Sequence, residues 1–513
     1  MIKDNFASIL ESSSNRFPSN LALITEDCSI TYENLYMRVQ SIACSFIDLG
    51  IKPGDTVVCV LPNGIEMVTT HFAAAKIWTT LVPLNIHLKP RELNNILKHT
   101  KPRLLIVHAS MANLVEALDK NITKDLLIIW DGKSSGKSTP QDINFADLIG
   151  KYPRLNIYPE TRQNEICNIL YTSGITGNPK GVMRTHENNL WAAISVAMYM
   201  PYKPGDLELF WLPMSSIGFS NIFIPNILGG STVLLQEGFN VEAVLKAFDH
   251  YPVSRIYLVP QMGNQLISDN HLIKHDTSSL KQLIIGSAPL TIETKIRINR
   301  AFPSAKIYEV WGTTEGGHIG LEPEESLTKL GSIGKPLCFN EAKIVDEHGF
   351  KVAPGMVGEI LIRGKSVTHG YFKNDEETKR CLPSDNGWFY TGDLARYDED
   401  GYYYLTGRKS DMIISGENKI YPQEVEEVLL MHPQVLEAAV FGYPDKVCGE
   451  LVVAIVVKQK DSTIEKKDLN DFLDKYIANY KKPQFIFFSS DLPKTATGKI
   501  MKNKLKNTIE SNL

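Results

Sequence analysis

Apolar residues recur along this chain in two rhythms. Thr56 to Leu61 (TVVCVL) is an unbroken apolar run of strand length, and Ile65 to Trp78 follows with helical spacing. Thr79 to Pro83, Leu104 to His108, Leu126 to Trp130, Thr232 to Leu235, Arg255 to Val259 and Gln282 to Ile285 are further buried-strand patterns. Strands alternating with helices predict α/β layers with largely parallel sheets. After about residue 340 the texture changes. Glu341 to Val345, Gly358 to Arg363 and Tyr402 to Leu405 are close-spaced strands joined by Gly- and Asp-rich turns, which predicts a smaller antiparallel unit. The last hundred or so residues form a third pattern. Pro422 to Met431 is a helix with Glu424, Glu426 and Glu427 near its N-terminus, where negative charge is favoured. Strands at Val435 to Gly442 and Leu451 to Lys458 and an amphipathic helix at Lys467 to Ile477 complete it. The expected architecture is therefore α/β: a large unit of layered sheets with a β-rich subdomain (residues 1–408), then a small α+β unit (409–513).

Composition narrows the class. The 513 residues are 43% hydrophobic and 22% charged, as in a globular protein of several cores. With 54 basic and 58 acidic residues the net charge is −4, so no global basic field draws nucleic acid or an anionic membrane. No apolar run approaches the roughly 20 residues of a membrane helix. Met1 to Asn5 carries no secretory pattern. The seven scattered cysteines include no CxxC pair, which fits reduced, mostly buried thiols in the cytoplasm. Gly132 to Pro140 has the composition of an exposed loop.

The densest chemistry is Tyr171-Thr172-Ser173-Gly174-Ile175-Thr176-Gly177-Asn178-Pro179-Lys180-Gly181, which follows a strand-like run from Ile166. Its glycines expose backbone N–H groups, its hydroxyls add donors and Lys180 adds a cation, together a cradle for a polyphosphate. It is not a Walker loop, because Pro179 precedes the lysine. A decoy at Gly136-Lys137-Ser138 has Asp131 where that motif needs its first glycine.

The 171–181 loop resembles the phosphate loop of the adenylate-forming superfamily, which holds acyl-CoA synthetases, peptide-synthetase adenylation domains and firefly-type luciferases. Five more segments follow in the family's order: Gly286-Ser287-Ala288-Pro289-Leu290 on the adenine side, Trp311-Gly312-Thr313-Thr314-Glu315, Tyr390-Thr391-Gly392-Asp393, the hinge from Gly407-Arg408 to Glu426, and Pro493-Lys494-Thr495-Ala496-Thr497-Gly498-Lys499. The resemblance implies roles. Thr172, Ser173, Gly174, Thr176, Gly177 and Lys180 would hold the ATP phosphates. Ser287, Ala288, Pro289, Trp311, Gly312 and Thr313 would hold its adenosine. Thr314 would bond a phosphate oxygen, and Glu315 would hold Mg²⁺. Asp393 suits the ribose hydroxyls, since an ionised carboxylate only accepts; Arg408 would meet ribose or phosphate. Lys499, singled out from Lys502, Lys504 and Lys506 by its motif, would stabilise charge during adenylation. The small unit would then swing, Ser415 and Gly416 would line the thiol tunnel, and Lys481 would meet the phosphates of coenzyme A. Trp191, Ser216, Phe219, Ser220, Gly317, Ser287 and Trp311 are candidates for the acyl pocket.

Three positions depart from the family. Ile175 replaces a usual Ser or Thr, removing a donor worth roughly 1 kcal/mol where that bond is made. Ser216 replaces a frequent histidine, and Ser410 a frequent hinge Asp or Lys. Trp211 to Phe223 contains no acidic residue to pair an α-amino group, which argues against an amino acid substrate. The expected activity is an ATP-dependent, AMP-forming ligation of a fatty or aromatic carboxylic acid to coenzyme A. A stand-alone enzyme loading a carrier protein and a non-catalytic nucleotide-binding protein are the alternatives. Oligomeric state has no signature here.

Overall fold

The computed structural model describes residues 5–509 except 125, 133–142, 151–164, 173–179, 269–271, 273, 289, 291, 385, 417, 446, 447 and 496–499. Most of the loop expected at Gly132 to Pro140 thus lies outside the described residues. Among the described residues the strands form sheets of nine, seven, five and four.

The seven-stranded sheet is parallel from Ile143–Asn144 through Thr56–Val60 to Ile166–Thr172, then turns back antiparallel into Lys180–Thr185. Both its faces are buried: Val57 and Cys59 enter one apolar cluster, Val58 and Val60 another. That is why its strands are unbroken apolar runs rather than alternating ones. The nine-stranded sheet shares the first cluster through Leu209, Val233 and Ile256. It too is parallel in the middle and antiparallel at its edges, where Lys306–Thr313 folds back into Gly316–Leu321. A four-stranded antiparallel sheet carries Phe389–Tyr397 beside Tyr403–Arg408. The strands flanking the phosphate loop and the Trp311–Glu315 motif therefore both lie where a parallel sheet gives way to an antiparallel pair.

The small unit packs Pro422–Leu430 and Lys466–Leu473 against the Val435–Asp445 and Gly449–Lys458 hairpin, around Ile413, Val440, Val452 and Leu469. Two expected boundaries move. Tyr403–Arg408 runs three residues beyond the apolar signal, because Arg408 pairs in register with Asp393. The second helix stops at Leu473 rather than Ile477; Lys475 N–H bonds Phe472 O, three residues back, and Tyr476 points to solvent. No described helix is long and apolar enough to cross a membrane. All seven cysteines are free thiols; four are buried, while Cys28 and Cys338 are exposed.

Candidate active site

Strand Lys180–Thr185 carries the end of the phosphate loop into the core. Val182 and Arg184 both point inward, as alternation requires, and both are fully buried. The Arg184 guanidinium is satisfied by oxygens of the surrounding loops. Nη1 donates to Ser366 O at 2.6 Å and Glu315 O at 3.2 Å; Nη2 donates to Asn188 O at 3.2 Å. Nε donates to Asn189 Oδ1 at 3.3 Å. Burial pulls its pKa down to about 10, opposed by the Glu315 carboxylate, so it stays charged at neutral pH. One side chain thus ties the phosphate-loop strand to the Glu315 turn.

The Glu315 carboxylate is oriented by Tyr371, whose hydroxyl donates to Oε1 at 2.7 Å. Burial, then the Glu315 charge, push the Tyr371 phenol upward, so it remains a donor. Thr314 lies half-buried in the same turn, and Thr313 Oγ1 closes it by donating to Gly316 O at 3.0 Å. Gly316 and Gly317 have φ of +115° and +77°, and a Cβ on Gly316 would come 2.1 Å from Ser366 O. Only glycine permits that backbone and that approach. Lys180 Nζ meets Glu377 Oε1 at 2.5 Å, and Arg380 followed by Lys180 holds the Glu377 carboxyl down to about 2.

On the four-stranded sheet, buried Asp393 meets Arg408 Nε through Oδ1 at 2.8 Å. The Asp393 N–H donates to Thr391 Oγ1 at 3.0 Å, and Gly392 takes φ +74° with its N–H on Glu359 Oε1 at 3.1 Å. Lys409 Nζ binds the other Glu359 oxygen at 2.9 Å. Half-buried Trp311 packs between the Glu315 hairpin and this sheet. Ser287 is exposed and holds φ +68°, a left-handed conformation that costs roughly 1–2 kcal/mol for a non-glycine residue; Tyr257 OH shares a 2.8 Å hydrogen bond with its Oγ. Ala288 beside it is exposed, as is Gly312.

Some expected residues fall elsewhere. Ser173, Gly174, Ile175, Thr176, Gly177, Pro289 and Lys499 lie outside the described residues, while Thr172 Oγ1 donates back to Lys180 O at 3.5 Å. The Lys499 segment is anchored at its base: Lys494 bridges Ile500, and Lys494 Nζ meets Glu437 at 2.8 Å. Glu437 also accepts from Gln261 Nε2 of the large unit at 2.7 Å. Phe219 belongs to the core rather than to a pocket wall. It lies on a π-helical turn, Phe219–Phe223, and stacks on His71 at 3.8 Å and on Phe223 at 5.0 Å. Ser220 beside it is buried and donates to Asn189 Oδ1 at 3.0 Å. Ser216 closes its own turn, donating to Pro213 O at 2.7 Å, and Gly317 is pressed against Ile362. Half-buried Trp191 packs on Phe339 at 4.6 Å under Lys365. Ser415 is half-buried, the Gly416 N–H donates to Cys448 O at 2.7 Å, and Lys481 pairs with Glu424 at 2.5 Å. Sequence reasoning passed over Arg184, Tyr371, Glu377 and Glu359; of these only Arg184 left a signal, a cation in the buried phase of a strand.

A family model described as "AMP-binding enzyme" matches residues 10–372, and one described as "AMP-binding enzyme C-terminal domain" matches 424–499. The chain belongs to the AMP-binding enzyme family. This AMP-binding enzyme is 31% identical over 493 residues to the 2-succinylbenzoate–CoA ligase of Bacillus licheniformis, covering 95% of this chain and 97% of that protein. It is 32% identical over 483 residues to the feruloyl-CoA synthase of an Amycolatopsis species, covering 93% and 94%. Its fold matches the o-succinylbenzoate CoA synthetase of Bacillus subtilis in complex with the acyl-adenylate OSB-AMP, with TM-score 0.83, 30% identity and 97% of each chain covered. It is accordingly an AMP-forming acid–thiol ligase of the acyl-CoA synthetase type, with ATP and coenzyme A as co-substrates.

Proposed function

We propose that this ligase acts on an aromatic carboxylic acid, with the nucleotide over the Asp393–Arg408 pair and the triphosphate between Lys180 and Glu315. The observation carrying this reading is that buried Arg184 joins the phosphate-loop strand to the Glu315 turn. The strand that follows the loop and the turn that carries the carboxylate are thus held together before substrate arrives, as charge stabilisation requires. Of the expected acid classes, the aromatic one is preferred because the two curated relatives named above are ligases of aryl acids.

In the first half-reaction a carboxylate oxygen of the acid attacks the α-phosphorus and pyrophosphate leaves. Thr172, Ser173, Gly174, Thr176, Gly177, Lys180 and Thr314 bind the phosphates, Asp393 and Arg408 the ribose, and Lys499 the charge on the reacting phosphoryl. Glu315 suits Mg²⁺, which is normally held by one or two carboxylates together with substrate phosphates. Among the described residues no cluster of three or more acids, histidines or cysteines offers a metal cage, and Tyr371 aligns the Glu315 carboxylate. Bound there, Mg²⁺ would neutralise phosphate charge. In the second half-reaction the small unit (409–513) turns about Arg408 to Ser410, and the thiol attacks the acyl carbonyl, releasing AMP. Exposed Ser410 is a small polar residue able to absorb the backbone rotation, and the turn requires Lys409 to leave Glu359 and Gly392. The free cysteines support a reducing, cytoplasmic setting.

Acid-dependent pyrophosphate release over a panel of aromatic and fatty acids tests the reading. Release with aromatic acids is expected, and release with fatty acids alone overturns that preference. Offering coenzyme A and a holo-carrier protein in parallel identifies the acceptor; thioester on the carrier alone rejects coenzyme A.

A further inference from the structure

Glu437 stands on strand Val435–Asp445 of the small unit, yet its carboxylate also serves the large one. Oε1 accepts from Gln261 Nε2 of the large unit at 2.7 Å and from Lys494 Nζ of its own unit at 2.8 Å. One carboxylate oxygen thus gathers two donors, from segments 176 and 57 residues away in the chain. All three side chains are half-buried, so the contacts are worth more than the same ones at an open surface.

Both donors stand close to the expected chemistry. Gln261 is the second residue of helix Pro260–Ser268, which begins just after strand Arg255–Leu258 ends. That strand runs parallel to Gln282–Gly286, which leads into Ser287, and Tyr257 OH shares its hydrogen bond with Ser287 Oγ. Gln261 therefore lies at the carboxyl ends of the parallel strands, the edge at which open α/β sheets bind their ligands. Lys494, the other donor, bridges Ile500, and the Met501 N–H donates to Pro493 O at 2.8 Å. These two contacts close the base of the stretch that carries Lys499 in the sequence.

Within the small unit the Glu437–Lys494 ion pair needs no third member. The amide of Gln261 adds a bond that exists only while the two units hold this orientation, because a turn about Arg408 to Ser410 separates strand Val435–Asp445 from helix Pro260–Ser268. A contact made in one orientation alone biases the equilibrium between orientations by its own worth. It also fixes, through Lys494, where the Lys499 stretch starts, and small displacements of a charge-stabilising group cost rate steeply.

We propose that Gln261 and Glu437 are positioning residues that hold the small unit on the large one for adenylation and set the base of the Lys499 stretch through Lys494. This rests on the two-orientation reading above. The test measures two rates on the whole chain: acid-dependent pyrophosphate release, and thioester formation from pre-made acyl-adenylate and coenzyme A. Gln261→Leu removes the amide donor at similar size and lowers the ratio of the first rate to the second by about tenfold, the worth of a hydrogen bond to a charged acceptor at a partly exposed position. Gln261→Glu sets a like charge against Glu437 and lowers the ratio further. Gln261→Glu combined with Glu437→Gln exchanges donor and acceptor, leaves an oxygen for Lys494 and recovers most of the ratio; a role in packing alone predicts no such recovery. An unchanged ratio in Gln261→Leu, whether both rates hold or both fall together, overturns the proposal. A lowered ratio that the double variant fails to recover overturns it too. Equal loss of both rates in Lys499→Ala would instead overturn the reading beneath it, a distinct outcome.

Discussion

The proposed nucleotide end and the proposed acid end of the site are built on opposite principles. At the nucleotide end every described charged side chain of the site has an opposite charge or a fixed donor beside it: Asp393 with Arg408, Glu315 with Tyr371, Lys180 with Glu377. At the proposed acid end the candidate side chains carry no charge, and Phe219 and Ser220 are buried. On the proposed reading the first end meets the same triphosphate and ribose in every turnover, so its charges can be set in advance. The second must discriminate among acids, so its fit to one acid rests on the shape and polarity of neutral side chains rather than on fixed charge.

The contrast breaks most sharply at Lys499. Lys499→Ala should lower adenylation by about 100- to 1,000-fold, the usual loss when a charge-stabilising donor is removed. Thioester formation from pre-made acyl-adenylate should be largely spared. Equal loss in both assays would contradict the division of labour between half-reactions. Asp393→Ala comes next. It removes hydrogen bonds to a charged acceptor, worth about 1.5–3 kcal/mol, so kcat/KM for ATP should fall about 10- to 100-fold. The KM for the acid should barely move; a parallel rise would mean the two ends are coupled. Arg184→Met should then lower kcat by about tenfold, from leaving the Glu315 and Ser366 carbonyls without their buried donor. Arg184→Lys should recover part of it, which loss of packing alone would not predict.

Legibility in the sequence divides along the same line. The parallel strands were legible because both their faces are buried, and the motifs Trp311–Glu315 and Tyr390–Asp393 because their glycines and charges are local. Glu377, Tyr371 and Glu359 were not. Each acts on a partner far along the chain, Glu377 on Lys180 for instance, and nothing near it in sequence reveals the contact. Phe219 misled for the reverse reason: an apolar residue beside Ser216 suits a pocket wall as well as a core, and only its stacking on His71 separates the two.

His71 gives a test of the neutral end by pH. Burial lowers the pKa of His71, His186 and His318 to about 3, against about 6.5 when exposed. Between those values the unfolded chain binds more protons than the folded one. Stability is therefore fully present above about pH 6.5 and falls as pH drops toward 3, by at most about 1.4 kcal/mol per pH unit for each histidine. His71→Gln should flatten the dependence of Tm on pH between 6.5 and 5; an unchanged slope would mean that His71 does not contribute.

The smallest expected effect tests the nucleotide end at its one apolar departure. Ile175 stands where the family usually carries a hydroxyl. If charges and donors at this end are set by an unchanging ligand, restoring the hydroxyl should help or be neutral. Ile175→Thr should lower the KM for ATP by about fivefold at most, the worth of one added hydrogen bond near 1 kcal/mol, with selectivity among acids unchanged. A large loss of activity would show that Ile175 packs against something the nucleotide end needs. A change in acid selectivity would show that the phosphate loop reaches the acid end, and the separation drawn between the two would no longer hold.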